Sequence, residues 1–291
     1  MKVADLSADL EQQFVNLIAE QSAPRAIEAV VALPFRFKAL LANQNKSALS
    51  GIKIVLFDIY GTLFSSAAGD ISTTDIVPDR PDGADRAAIY FKEAVLQRHL
   101  AGYGKTPYPE VRVEEIWEAY PERPPEMSGA EFALRYELAH NPVTPMPGAL
   151  ECIRQLRRGG YELGLVSNAQ FYTPLLFKAF FGTGPEELGF NPLFIAYSYV
   201  QGYAKPAPEL FQPVLQGLTK KGYRVDECLY VGNDMLNDVF GAKNVGMKAA
   251  LFAGDRQSLR LRENNPLCKE LLPDLVLTSL ADLPGCLPGY V

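Results

Sequence analysis

A chain of 291 residues that is 48% apolar and carries a net charge of −6 can bury one large α/β domain plus a smaller accessory unit. Its charges of both signs are interspersed without a basic cluster, which argues against nucleic acid as a partner. Four cysteines without a CxxC spacing, and only two histidines, His99 and His140, exclude an ordinary Cys/His zinc site and fit a reducing cytoplasm.

Residues 1–50 read as an N-terminal helical extension. Leu6, Leu10, Phe14, Leu17 and Ile18 recur at helical spacing behind Ser7, a suitable N-cap. Asp5, Asp9, Glu11 and Glu20 interrupt this stretch, so a signal peptide or membrane span is not expected. Apolar residues from Ile27 through Leu41 predict one or two further helices broken at Pro34. The extension is expected to pack on the main domain; a partner-binding or dimerising arm is the alternative, and a homodimer stays open.

Ile52–Phe57 is a buried-strand run that ends at Asp58 and is broken by Gly61-Thr62. Residues 65–84 read as a loop. Residues 85–140 carry helical periodicity punctuated by prolines and form a small helical unit. Trp117, Tyr90, Phe91, Phe132 and Tyr136 are expected to make its core, and His99 and His140 to serve surface or packing roles. Beyond Pro147 strands and helices alternate. Strands are expected at 163–166, 194–197, 229–231, 249–252 and 275–277, with helices to about 158 and at 171–181, 206–218 and 235–244. Repeated strand–helix units imply a parallel sheet covered on both faces, with ligands beyond the carboxyl ends of its strands. Cys152 and Cys228 read as small core residues.

Four polar clusters occupy those strand ends. Asp58 follows the first strand, beside the backbone N–H groups of the Gly61-Thr62 turn. Ser167-Asn168 follows the second, Lys205 precedes Pro206, and Asp234 with Asp238 follows the strand at 229–231. A helix starting near Met235 would place Asp234 at its N-cap and Asp238 one turn on, facing the same way. Carboxylates gathered around one lysine repel unless a hard cation joins them, and oxygen ligands suit Mg²⁺.

This set resembles the haloacid dehalogenase superfamily of hydrolases, helical-cap type. The matching motifs are Asp58-Ile59-Tyr60-Gly61-Thr62-Leu63, then Leu165-Val166-Ser167-Asn168, then Lys205-Pro206-Ala207-Pro208-Glu209-Leu210-Phe211. The fourth runs from Tyr230 through Gly232-Asn233-Asp234 to Asn237-Asp238. The resemblance covers residue 52 to about 285 and not residues 1–50. It implies an α/β fold with a Rossmann-like core, residues 51–64 and 146–291, and an inserted helical cap, residues 65–145. It further implies that Asp58 forms an aspartyl ester or phosphate. Thr62 and Ser167, with Asn168 beside them, would bind the phosphate, and Lys205 would steady nucleophile and transferring group. Mg²⁺ would be held by Asp58, the Tyr60 backbone carbonyl and Asp234, with Asp238 as an auxiliary acid.

Tyr60 departs from the phosphatase pattern, where a second aspartate protonates the leaving oxygen and later activates water. A phenol with a pKa near about 10 carries protons poorly at neutral pH, so simple alkyl phosphates are expected to be poor substrates and aryl or acyl phosphates better ones. Tyrosine here resembles the 2-haloacid dehalogenases, which need no metal and use a cap arginine; Arg80, Arg86 and Arg98 are available. Asp234 speaks against that branch. An uncompensated carboxylate would repel an anionic substrate by about 4 kcal/mol at 4 Å and an effective dielectric of about 20. The expected protein is a cytoplasmic Mg²⁺-dependent phosphatase acting on a small phosphorylated metabolite, with no nucleic-acid or membrane partner. A metal-independent dehalogenase-like hydrolase and a weakly active or non-catalytic binding protein are the alternatives.

Overall fold

The computed structural model describes residues 6–22, 24, 26–41, 49–66, 86–102 and 108–288. Six parallel strands form one sheet in the order β3-β2-β1-β4-β5-β6. They are β1 (Ile54–Phe57), β2 (Glu162–Ser167), β3 (Phe190–Tyr197), β4 (Cys228–Gly232), β5 (Lys248–Phe252) and β6 (Leu275–Leu277). β1 is central, with Val55 in register with Leu163 of β2 and Leu229 of β4. Alternation explains its apolar run. Val55 and Phe57 pack into one core and Ile54 and Leu56 into another, so both faces of the sheet are covered. The expected α/β class and parallel sheet are observed. β3 begins four residues earlier than its sequence pattern predicts. It contains Pro192, which an edge strand tolerates because one side of its backbone needs no ladder bond.

The first and fourth sequence motifs meet because β1 ends beside β4: the Asp58 N–H donates to the Val231 carbonyl at 2.9 Å. Between β1 and β2 the described chain makes helices at Arg86–Gly102, Val113–Glu118 and Gly129–His140. The chain leaves and re-enters the sheet domain at adjacent points. The Ser65 N–H donates to the Thr144 carbonyl at 2.7 Å and the Met146 N–H to the Leu63 carbonyl at 2.9 Å. Trp117 centres the helical unit, stacked on Phe91 at 5.2 Å and packed on Tyr136 at 4.5 Å and Phe132 at 4.8 Å. The expected loop at 65–84 lies almost wholly outside the described residues, as does Arg80.

Ser7 caps the helix Ala8–Gln21, accepting from the Leu10 N–H. That helix packs on the one at Thr173–Phe181, with a Lys178–Glu11 ion pair alongside. The expected helices over 27–41 reduce to one turn, Phe35–Lys38. Residues 26–34 instead cross the sheet domain, where the Glu28 N–H donates to Asp255 Oδ1 at 3.1 Å. Beyond them the Val276 N–H of β6 donates to the Leu40 carbonyl at 2.7 Å, so the segment partners the sheet edge rather than forming a helical appendage.

Candidate active site

Asp58, Ser167 and Lys205 converge at the carboxyl end of the sheet. The Lys205 ammonium lies 2.6 Å from Asp58 Oδ1, 2.6 Å from Asp238 Oδ1 and 3.1 Å from the Tyr230 hydroxyl. All three of Lys205, Asp58 and Asp238 are buried. Burial alone would lower the Lys205 pKa, but the Asp238 and Asp58 charges outweigh it and hold the ammonium above its ordinary value. Burial pushes the Asp238 carboxyl up despite Lys205 beside it. The Ser167 hydroxyl donates to Asp58 Oδ1 at 2.9 Å, and the Lys205 N–H donates to Asn168 Oδ1 at 2.7 Å. Both side-chain bonds to Asp58 fall on Oδ1; among the described residues no side chain is bonded to Oδ2.

Tight backbone contacts fix these positions. Gly61 has φ +84°, and a Cβ there would meet Asn233 Nδ2 at 2.6 Å. A Cβ at Gly232 would lie 2.3 Å from Asp238 Cγ, so the close approach that seats Asp238 on Lys205 needs glycine.

A cavity of about 310 Å³ opens over Asp58, between the sheet domain and the helical unit. Asn168 and Asp234 line it from below, and Lys92, His99, Glu137 and His140 from above. Both histidines line the cleft, and His140 also packs as expected, stacked on Tyr136 at 4.0 Å. Thr62 does not line this cavity. It is buried, and its hydroxyl donates to Asn233 Oδ1 at 3.2 Å. The Tyr60 hydroxyl is 2.9 Å from Thr173 Oγ1, and burial, then the nearby Glu137 charge, drive its pKa well above the ordinary 10.0. Of the arginines considered as cap anchors, Arg86 pairs with Glu122 at 2.9 Å on the surface and Arg98 does not line the cleft.

Asp234 and Asp238 both border the cavity but are held by different partners. Asp234 is the N-cap of a π-helical turn, Met235–Phe240, with an extended backbone. Its Oδ1 accepts from the Leu236 N–H at 2.8 Å and the Asn237 N–H at 3.2 Å. Asp238 lies inside the turn and reaches Lys205. Arg262 forks onto Asp234, with Nη2 at 2.6 Å and Nε at 3.0 Å from Oδ2.

A family model of haloacid dehalogenase-like hydrolases matches residues 52–246. The chain belongs to this family. Among its relatives, phosphoglycolate phosphatase 1 of Pseudomonas aeruginosa is 26% identical, over 80% of this chain and 79% of that protein. Glyceraldehyde 3-phosphate phosphatase of Pyrococcus abyssi is 32% identical, over 37% of this chain; the match spans only 42% of that protein's length. Two solved structures share the fold at low identity. A haloacid dehalogenase-family phosphatase from Thermococcus onnurineus has TM-score 0.52 at 21% identity, covering 82% of this chain and 100% of that one. The L-2-haloacid dehalogenase of Xanthobacter autotrophicus has TM-score 0.51 at 22% identity, with the same coverage.

Does this dehalogenase-family site suit Mg²⁺? Among the described residues, no group of three or more His, Cys, Asp or Glu side chains is arranged to hold a metal ion. Asp238 is committed to Lys205, so the three acidic side chains do not form a cage. The remaining donors are Asp58, the Tyr60 carbonyl and Asp234, an all-oxygen set that suits a hard cation. The bridge between Tyr60 and Phe64 runs through the peptide groups of Ile59 and Gly61 and leaves the Tyr60 carbonyl unused. These oxygens are of the kind a hard cation takes, and Arg262 occupies the Asp234 oxygen that the ion would need.

Sequence reasoning missed Tyr230, Arg262 and Glu137 as members of the site. Tyr230 had a local signal. It is a polar-tipped residue in a buried strand, two positions before the Gly232 strand end, and its hydroxyl donates to the Val166 carbonyl at 2.6 Å. Arg262 and Glu137 had none.

Proposed function

We propose that this chain is a Mg²⁺-dependent phosphatase that hydrolyses a small phosphorylated metabolite through an aspartyl phosphate on Asp58. One observation carries the reading. Asp58 sits at the tip of the central strand, bonded to Lys205 and Ser167 through one oxygen, under a cavity sized for a small molecule. The phosphoglycolate and glyceraldehyde 3-phosphate phosphatases it resembles support a small phosphorylated metabolite as substrate class.

Asp58 attacks phosphorus while Lys205 screens the charge gathering on the nucleophile and the transferring group. Asp238 holds the Lys205 ammonium in place. Ser167 orients the attacking carboxylate, and Asn168 fixes the Lys205 backbone. Thr62, bonded to Asn233, shapes the loop after Asp58 and would reach phosphate only by turning its hydroxyl. Asp58, the Tyr60 carbonyl and Asp234 would hold Mg²⁺, whose chemistry there is to neutralise charge on the phosphoryl oxygens. The helical unit excludes bulk water from the cleft.

A phosphate-release screen on small phosphorylated metabolites tests this reading. Wild-type activity should vanish with chelator, return with Mg²⁺, and be absent in Asp58→Asn. Tyr60 favours a second reading, a dehalogenase-like hydrolase. Halide release from 2-haloacids in chelator, with no phosphate release from any substrate, would replace the first reading with the second.

A further inference from the structure

If this chain is a phosphatase, Tyr60 leaves the reaction without its usual proton carrier. We infer that Glu137, on the helix Gly129–His140, supplies that proton to the leaving oxygen. The inference rests on the phosphatase reading and names a group which that reading lacks.

The geometry comes from both sides of the cleft. Glu137 lines the same cavity as Asp58 and Tyr60. It does not hang free. Asn141 Nδ2 donates to Glu137 Oε1 at 2.8 Å, and Asn141 Oδ1 accepts from the Ser66 hydroxyl at 3.0 Å. Ser66 belongs to the segment that leaves the sheet domain after the first motif, so this relay ties Glu137 to the strand that carries Asp58. The Tyr172 phenol also acts on the Glu137 carboxyl, and Tyr172 directly precedes the Thr173 that holds Tyr60. A carboxyl fixed by an amide and a phenol has a defined orientation, which proton transfer requires. The titratable groups around it are His140 on its own helix, Tyr60 from the loop after β1, and Tyr172 before the helix Thr173–Phe181. Burial raises the Glu137 pKa above the ordinary carboxyl value, against the smaller opposing effects of Asn141, Tyr172 and His140. That shift favours the protonated form needed before the first step.

The two half-reactions balance. In the first, an Asp58 oxygen bonds to phosphorus, the bond from phosphorus to the leaving oxygen breaks, and the Glu137 proton moves to that oxygen, releasing an alcohol. In the second, water attacks the aspartyl phosphate, gives its proton to the Glu137 carboxylate, and the bond from phosphorus to the Asp58 oxygen breaks. Phosphate leaves, and both carboxyls return to their starting states. The expectation of poor alkyl-phosphate turnover assumed that the proton carrier must sit at position 60; Glu137 removes that requirement.

Glu137→Gln keeps the side-chain shape and the acceptor for Asn141 while removing the proton. First-turnover alcohol release is measured across phosphate esters from alkyl to p-nitrophenyl. Alkyl esters should slow by about 10²–10⁴-fold and p-nitrophenyl phosphate by far less, so the dependence on leaving-group pKa steepens. Tyr60→Phe should keep the wild-type slope. A uniform loss across the series, no loss at all, or a steepened slope in Tyr60→Phe instead would overturn the role of Glu137 and leave the phosphatase reading standing. Absence of phosphate release from every ester by the wild-type protein would overturn both.

Discussion

Replacing Lys205 by Met removes the ammonium and keeps a stem of similar length. Asp58 Oδ1 and Asp238 Oδ1 each lie 2.6 Å from the same Nζ, on side chains that are almost fully buried. Those two oxygens are therefore within about 5 Å of each other, and without the lysine they repel by about 3 kcal/mol at an effective dielectric of about 20. Together with the lost charge-assisted bonds, the variant should lose about 3–5 kcal/mol, the usual cost of leaving a buried charge without its partner. Urea unfolding at neutral pH in chelator measures this. The decisive comparison uses Asp238→Asn. Alone it removes a lysine partner and should destabilise. In the Lys205→Met background it replaces a carboxyl that must either repel Asp58 or take up a proton, so it should destabilise far less than alone, or stabilise. The pH dependence has a defined sign. The Asp238 carboxyl is already pushed up by burial, so the native state binds more protons than the unfolded chain. Stability therefore falls as pH rises from the ordinary carboxylate range toward neutrality, and more steeply once Lys205 is gone. If Asp238→Asn destabilises both backgrounds equally, the two carboxylates are not coupled through Lys205 and the account of the site fails.

Arg262→Ala should raise Mg²⁺ affinity about tenfold or more in calorimetry, because the ion no longer displaces a guanidinium from Asp234; weaker binding would show instead that Arg262 poises Asp234 for the ion. Trp117→Ala should cost about 3–5 kcal/mol in thermal or urea unfolding, since Phe91, Phe132 and Tyr136 all pack on that ring. A loss under about 1 kcal/mol would mean that the helical unit is not organised around it.

What the sequence revealed and what it hid divide along a physical line. Asp58 and Ser167 were legible because β1 and β2 end in polar residues, and parallel strands in register bring their tips together; Lys205 was legible only from its Lys-Pro motif, in the segment after β3. The sheet was legible for the same reason: alternating strand and helix patterns leave little choice of topology. The segment 26–34 was misread because its apolar residues have no long-range information in them. They pack across the sheet domain and hand on to Leu40, which pairs with β6, and helical spacing does not distinguish that use from a helix. Asp234 and Asp238 were read as one face because i, i+4 residues align within a helix. An N-cap is not within the helix: its side chain turns back onto the first N–H groups, which gives the two carboxylates different partners.

Arg262 reaches Asp234 across 28 residues of chain, from a position at φ +51°, in the left-handed region that a side chain other than glycine enters at a cost. Its carbonyl accepts from the Asn265 N–H at 2.8 Å in a local turn, and the guanidinium fork on Asp234 adds a contact that helps to offset the strain. Glu137 is likewise meaningless on its own helix and acquires a role only when that helix sits over Asp58. In this chain the end of β1 carries Asp58, and the segment after β3 brings Lys205 to it. On the proposed reading, the groups that act on the ion and on the leaving group, Arg262 and Glu137, come from segments distant in sequence. Variation in substrate choice should therefore track residues such as Glu137 and Arg262, which can change without disturbing the Asp58–Lys205–Asp238 triad.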